Sequence, residues 1–67
     1  MINLTVNGKP RVLEDSVDLV AYLLSFGVNL KHVAVGYNGD VLKKESYVDV
    51  TLRDGDVLEI VRPVGGG

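Results

Sequence analysis

Only one segment of this chain has the residue spacing of a long helix, and segments with strand patterns lie on both sides of it. Val17, Val20, Ala21 and Leu24 stand at i, i+3, i+4 and i+7, the spacing of one helical face. This pattern predicts a helix over residues 16–26. A single amphipathic helix must bury its apolar stripe against another layer, so the sequence calls for a sheet that covers that face.

The residues at the ends of the predicted helix have the chemistry that helix termini need. Ser16 or Asp15 can accept hydrogen bonds from the free amides of the first turn, and Asp18 suits the positive end of the helix dipole. Gly27 fits the left-handed conformation that ends many helices, and Val28 can supply the apolar contact that accompanies it. We therefore expect the helix to begin at Ser16 and to end before Gly27.

Three dipeptides tolerate the positive φ angles of tight turns and divide the rest of the chain. They are Asn7-Gly8, Asn38-Gly39 and Asp54-Gly55. Five segments between them have strand patterns: residues 2–6, about 11–14, 32–37, 41–42 and 57–61. Pro10 cannot donate a ladder hydrogen bond, so the second strand should be an edge strand or begin beyond Pro10.

Side-chain alternation indicates which faces of the strands are buried. In the last segment, Leu58 and Ile60 should share the core face, with Glu59 and Val61 on the other face. The run 32–37 is almost continuously apolar, which favours a central strand. Three further apolar residues should pack beneath the sheet or form a short strand: Val48, Val50 and Leu52.

This order of elements predicts an α+β protein with the β-grasp, or ubiquitin-like, fold, in which a mixed sheet of four to five strands packs on one helix. The β-grasp domain should cover residues 1–64, followed by a flexible glycine tail at residues 65–67. A ferredoxin-like unit is the alternative, but it needs a second helix that the sequence lacks. At 67 residues the chain is long enough for one domain only.

Composition excludes several classes of function. The chain has no cysteine and a single histidine, His32, so nucleophilic dyads and metal clusters lack parts, and we interpret His32 as a strand-edge residue. Helix capping and a solvated face explain Glu14, Asp15 and Asp18 better than a cation site does. A net charge of −2 with scattered Lys and Arg gives no footprint for nucleic acid, and no apolar run approaches the ~20 residues of a membrane span. We expect a soluble, cytoplasmic protein that holds no metal.

The chain ends in three glycines, Gly65, Gly66 and Gly67, shortly after the last predicted strand. Without Cβ atoms, such residues can thread a channel that is too narrow for other residues. They also present the main-chain carboxylate with no side chain in the way, which predicts that the carboxylate of Gly67 reacts in the active site of another protein. The alternative is a frayed terminus without function, which is common at chain ends.

Three segments combine an Asn-Gly hairpin, an Asp-Gly-Asp turn and the glycine ending: MINLTVNG at the start, VAVGYNGDVL from residue 33 and DGDVLEIVRPVGGG from residue 54. In this combination, and in its length, the chain resembles the thiamine-biosynthesis sulfur carrier family (ThiS). Tyr37 and the pair Arg62-Pro63 depart from what is common in that family. The glycine ending alone is shared with molybdopterin-synthase small subunits, tRNA-thiolation carriers and protein modifiers.

The resemblance implies a carrier and cosubstrate, not an enzyme, with Gly67 as the site of modification and with Gly65 and Gly66 required for threading. An E1-like adenylating enzyme would use ATP to convert the carboxylate, a poor electrophile when ionised, into an acyl adenylate. A persulfide from a cysteine desulfurase system would then give a thiocarboxylate, which thiazole synthase would use to build the thiazole of thiamine. The chain itself would bind no cofactor.

Two other kinds of function stay open from the sequence. Sulfur could go to molybdopterin synthase or to a tRNA-thiolation enzyme, or the chain could be a non-covalent ubiquitin-like interaction module with an incidental glycine tail. In the carrier role, Val61, Pro63 and Val64 form an apolar strip beside the reactive end. We predict that this strip binds the partner protein, because exposed apolar patches often mark such sites.

Overall fold

A computed structural model describes residues 1–62 and confirms the predicted β-grasp architecture. The elements in chain order are β1 (Ile2–Val6), β2 (Lys9–Leu13), β3 (Val17–Asp18), α1 (Leu19–Ser25), β4 (Ala34–Tyr37), β5 (Asp40–Val41), a 3-10 helix (Lys44–Asp49), β6 (Thr51–Leu52) and β7 (Val57–Val61). The predicted domain boundary at residue 64 and the flexible tail lie outside the described residues.

Five strands form one mixed sheet in the order β2-β1-β7-β4-β5, and β3 pairs with β6 in a second, two-stranded sheet. In the larger sheet β7 runs parallel to β1 and antiparallel to β4. β4 has a neighbour on each side, as the apolar run 32–37 predicted, but β7 occupies the middle. The last strand therefore has a paired strand on each side, and it ends at Val61, directly before the last described residue.

The helix begins later than its apolar spacing predicted. Val17–Asp18 form β3, which pairs with β6 instead of joining the helix. The amide of Leu19 donates to the carbonyl of Val50 at 3.0 Å, and Asp18, directly before the helix, makes no side-chain capping bond. The predicted start at Ser16 was wrong because residues 17–18 pair with β6, and Val50, directly before β6, supplies the partner that a side-chain cap would otherwise provide. Gly27, at φ 73°, ends the helix as predicted.

The core lies between α1 and the larger sheet. Its completely buried leucines are Leu19 and Leu23 of α1, Leu52 of β6 and Leu58 of β7. Leu52 is thus buried as predicted and Val50 is half-buried, but Val48 is 74% exposed. The 3-10 helix explains the difference, because it turns Tyr47 inward, where the hydroxyl donates to the carbonyl of Val33, and leaves Val48 facing outward.

Two further strand boundaries differ from the sequence pattern. β2 begins at Lys9 and includes Pro10, which lies opposite Thr5 on the edge strand. The edge position was predicted, and it is what allows a residue without an N–H group to sit inside a strand. His32 lies in an exposed bend before β4 and not on a strand edge.

Within residues 1–62, no helix is long and apolar enough to cross a membrane.

Candidate functional site

The predicted reactive segment begins where β7 ends. Val61 is the last residue of this strand, and Arg62 is the last residue that the structure describes. The predicted site residues Pro63, Val64, Gly65, Gly66 and Gly67 lie outside the described residues. The candidate site that can be described therefore consists of β7 and the groups that hold and surround it.

The end of β7 is held by the side chain of Asn7. The last backbone hydrogen bond here between β1 and β7 runs from the amide of Asn7 to the carbonyl of Leu58 at 2.9 Å, because the chain turns away at Asn7. The amide of Ile60 donates to Oδ1 of Asn7 at 2.7 Å, and Nδ2 of Asn7 donates to the carbonyl of Ile60 at 3.3 Å. One side-chain amide thus replaces the peptide group that a longer β1 would have offered to β7.

The start of β7 is held in the same way by the other Asn-Gly turn. The amide of Val57 donates to Oδ1 of Asn38 at 2.8 Å, and the amide of Asn38 donates back to the carbonyl of Val57 at 2.9 Å. Asn7 and Asn38 have φ angles of 52° and 49°, so both predicted turns are confirmed. The hydrogen bonds from these two side chains to β7 were not predicted from the sequence. The residue type could have indicated them, because asparagine, unlike glycine, has a side-chain donor and acceptor at a left-handed position.

Asp56 fixes the turn that precedes β7 and is the one buried charged residue among those described. Its carboxylate accepts hydrogen bonds from the Tyr37 hydroxyl at 2.7 Å, the Arg53 amide at 2.8 Å and Nδ2 of Asn38 at 3.2 Å. Burial acts to raise the pKa of Asp56, but these bonds and the charge of Arg53 outweigh it and lower the pKa. The hydrogen bond to Asp56, followed by burial, raises the pKa of Tyr37. The cluster therefore has the properties of a structural anchor.

Replacing Asn7 by glycine should loosen the end of β7 without straining the turn, because glycine adopts positive φ freely. We expect hydrogen exchange at the Ile60 amide to accelerate by about fivefold to tenfold, since one hydrogen bond contributes roughly 1–1.5 kcal/mol. Exchange measured by NMR would test this. Asn38→Gly is the matched control, and it should accelerate hydrogen exchange at the Val57 amide instead. Equal exchange at the Ile60 amide in the native chain and in Asn7→Gly would show that the Asn7 side chain does not hold the end of β7.

The outer face of the sheet carries an exposed apolar surface beside the end of β7. Its valines are Val41 of β5 and Val57 and Val61 of β7, with exposures of 84%, 41% and 58%, and we call them the valine strip. With Gly36 of β4 and the acidic residues Asp40 and Glu59, they line a shallow depression of about 420 Å³. The outward position of Val61 is confirmed. Val57 shares this face by the same alternation that places Val61 there, whereas Val41 could not be expected beside Val61, because strand order decides which strands adjoin β7.

The other candidate sites do not assemble. Within the described part of the chain, no three His, Asp or Glu side chains are grouped so that they could hold a metal ion. Glu14, Asp15 and Asp18 are exposed, as is His32. β7, with Asn38 bonded to its start, Asn7 bonded near its end and the valine strip on its outer face, is therefore the candidate functional site.

Comparison with known proteins gives consistent matches over nearly the whole chain. The family model described as ThiS family matches residues 4–67, a range that includes the glycine tail. The chain is 44% identical over 62 residues to the sulfur carrier protein ThiS of Thermus thermophilus, which covers 92% of this chain and 95% of that protein. It is 41% identical over 66 residues to a thiazole synthase of Paramagnetospirillum magneticum, covering 98% of this chain but only 20% of that protein.

A solved structure agrees with these sequence matches. The crystal structure of the thiamine biosynthesis protein ThiS from Geobacter metallireducens superposes with a TM-score of 0.82 at 38% sequence identity. The match covers 98% of this chain and all of that one. Both the fold and the position of its last strand therefore have a counterpart in a crystal structure.

Proposed function

The chain belongs to the ThiS family, and from this membership we propose that it is a sulfur carrier whose Gly67 carboxylate becomes a thiocarboxylate for thiamine thiazole synthesis. The observation that carries the proposal is the family match to residues 4–67, which joins the β-grasp body to the glycine tail. We propose Gly67 as the carboxyl terminus of the working form. In this role Gly65 and Gly66 let the chain thread a narrow channel.

The chemistry starts from an unreactive group. A carboxylate is negatively charged at neutral pH and repels nucleophiles, so it must first be activated. An E1-like enzyme joins the Gly67 carboxylate to the AMP part of ATP and releases pyrophosphate. A persulfide from a cysteine desulfurase system then attacks the acyl carbon and displaces AMP, and reductive cleavage of the S–S bond by a thiol leaves the thiocarboxylate. ATP and the persulfide are substrates of the partner enzymes, and this chain binds no cofactor.

The sequence relatives support thiazole synthase as the recipient of the sulfur. Matches to proteins named thiazole synthase, which contain a region similar to this chain, favour that enzyme over molybdopterin synthase or a tRNA-thiolation enzyme. A carrier also needs no catalytic side chain of its own, since both reactive steps take place in partner sites. We expect the reaction in the cytoplasm, because it consumes ATP.

Mass spectrometry tests the proposed function directly. The native chain is incubated with the cognate adenylating enzyme, ATP, a sulfur donor and a reducing thiol. We expect the mass gain that results from exchanging one oxygen for one sulfur, and fragmentation should place it on Gly67. An unchanged mass in the complete reaction, with pyrophosphate release also absent, would overturn the proposal in favour of a non-covalent interaction module.

The valine strip, with Pro63 and Val64 beyond it, is the surface that we propose for docking of the adenylating enzyme. Val61→Asp should weaken this interaction by about tenfold or more, because a charge replaces the apolar contact that lies nearest to the reactive end. The fold should persist, since Val61 is 58% exposed. The measurement is the KM for the carrier in ATP–pyrophosphate exchange.

The matched control for this experiment is Val12→Asp. Val12 is 59% exposed and lies on the edge strand β2, two strands from β7. Val12→Asp therefore makes the same substitution at an equally exposed valine that lies away from the valine strip. We expect Val12→Asp to react as the native chain does. If both variants lose affinity equally, or if neither does, the valine strip is not the docking surface.

A further inference from the structure

A second concave surface lies on the opposite side of β7 from the valine strip, toward α1. It encloses about 340 Å³, and we call it the basic groove. Its lining consists of Asn7, three cationic side chains and four apolar ones: Lys9, Arg11 and Arg62, with Val6, Phe26, Val28 and Ile60. The cations are exposed, whereas Val28 is buried and Ile60 is half-buried. The groove thus combines an apolar floor with positive charge around it.

The charge of this groove is opposite to that of the protein as a whole. It holds three of the seven Lys and Arg residues, while the chain also carries nine acidic residues and has a net charge of −2. None of the described residues that line it is acidic. Arg11 of β2 lines the groove together with Phe26, the residue that follows α1. Scattered charges would not produce such a cluster on an acidic protein.

We propose that the basic groove binds an acidic segment of the adenylating partner protein that takes up the glycine tail. This inference rests on the proposed function, because it needs a protein that acts on Gly67. Arg62 lines the groove and is the last described residue before residues 63–67. Five residues reach no more than about 18 Å when extended, so a protein that encloses Gly67 must come within that distance of Arg62, at the edge of the groove.

The composition of the groove favours a protein segment over other anions. Its cations are long, exposed side chains, and it offers no buried donor that would fix a small anion. Phe26, 46% exposed, and the half-buried Ile60 can take an apolar side chain beside a carboxylate. An apolar centre with a charged rim and arginine is the usual composition of protein interfaces. A nucleic acid would meet net negative charge outside the groove.

Charge reversal in the groove tests the proposal in the adenylation reaction. The double variant Lys9→Glu, Arg11→Glu should raise the KM for the carrier by about tenfold at low salt, with kcat unchanged. The difference should shrink as salt screens the charges. The double variant Lys43→Glu, Lys44→Glu is the matched control, because both are exposed cations outside the groove and the change in net charge is the same. An equal effect in this control, or a native KM in the groove variant, would overturn the proposal.

A binding experiment on the carrier alone separates the groove from the proposed function. The ¹⁵N-labelled chain is titrated with a peptide of alternating Glu and Leu, and amide shifts are expected at Lys9, Arg11, Phe26 and Arg62. The same peptide with Gln in place of Glu should produce none of these shifts. If inorganic phosphate alone reproduces the shifts, or if the Glu peptide produces none, the groove does not bind acidic segments. A native chain that is never adenylated but binds the peptide would refute the proposed function and leave the groove as an acidic-segment site.

Discussion

Deletion of Gly67 should reduce adenylation of the carrier by at least about a hundredfold. The new terminal carboxylate would stand one residue, about 3.3–3.6 Å, short of the nucleotide phosphate in the partner's site. A misplacement of reacting groups by only ~1 Å can cost roughly a hundredfold in rate. ATP–pyrophosphate exchange and the mass of the product measure the loss. The thermal unfolding of the variant should match that of the native chain, because the described core ends before residue 63.

Addition of an alanine after Gly67 tests the same site from the other direction. The methyl group must enter a channel that fits glycine, and the carboxylate is displaced beyond the phosphate. We expect a loss comparable to that of the deletion. If both altered termini are activated as well as the native one, the terminal-glycine mechanism is refuted and the interaction module becomes the better explanation.

Asp56→Ala should lower the free energy of unfolding by about 2–3 kcal/mol. The substitution leaves the Tyr37 hydroxyl, the Arg53 amide and the Asn38 side chain without their shared acceptor, and a lost partner costs about 1–3 kcal/mol for a buried group. This is a large share of the ~3–10 kcal/mol expected for a domain of this size. Denaturant unfolding monitored by circular dichroism measures the change. If the denaturation midpoint of Asp56→Ala equals that of the native chain, the hydrogen bonds of Asp56 contribute nothing to stability.

Asp56→Asn removes the charge of Asp56 but keeps a side chain of nearly the same shape. Comparing the pH dependence of its stability with that of the native chain therefore isolates the contribution of the charge. Because the folded state lowers the pKa of Asp56, its charge contributes stability that is fully present above the ordinary carboxyl pKa. That contribution is lost as the pH falls through the lowered folded value. The native chain should therefore lose more stability than Asp56→Asn below about pH 4, the ordinary range of aspartate. Parallel curves for the two proteins would contradict the inferred shift.

Local patterns in the sequence determined most of the elements. Strand β1 and the face of β7 that Leu58 buries follow from alternation, and both Asn-Gly turns follow from their tolerance of positive φ. Gly27 ended the helix where predicted. These features depend on interactions between residues within a few positions of one another, so the local sequence is sufficient to predict them.

The start of the helix, the middle place of β7 and the exposure of Val48 were decided by tertiary structure. Each depends on a partner distant in the chain: Val50 satisfies the first helical amide, and β1 and β4 enclose β7. The sequence alone predicts Gly67 as the reactive residue, which lies outside the described residues. The two surfaces beside the end of β7, however, exist only because folding brings Lys9 and Arg11 to Arg62 on one side and Val41 to Val61 on the other. Spacing along a chain does not encode strand order, and strand order decides which side chains become neighbours.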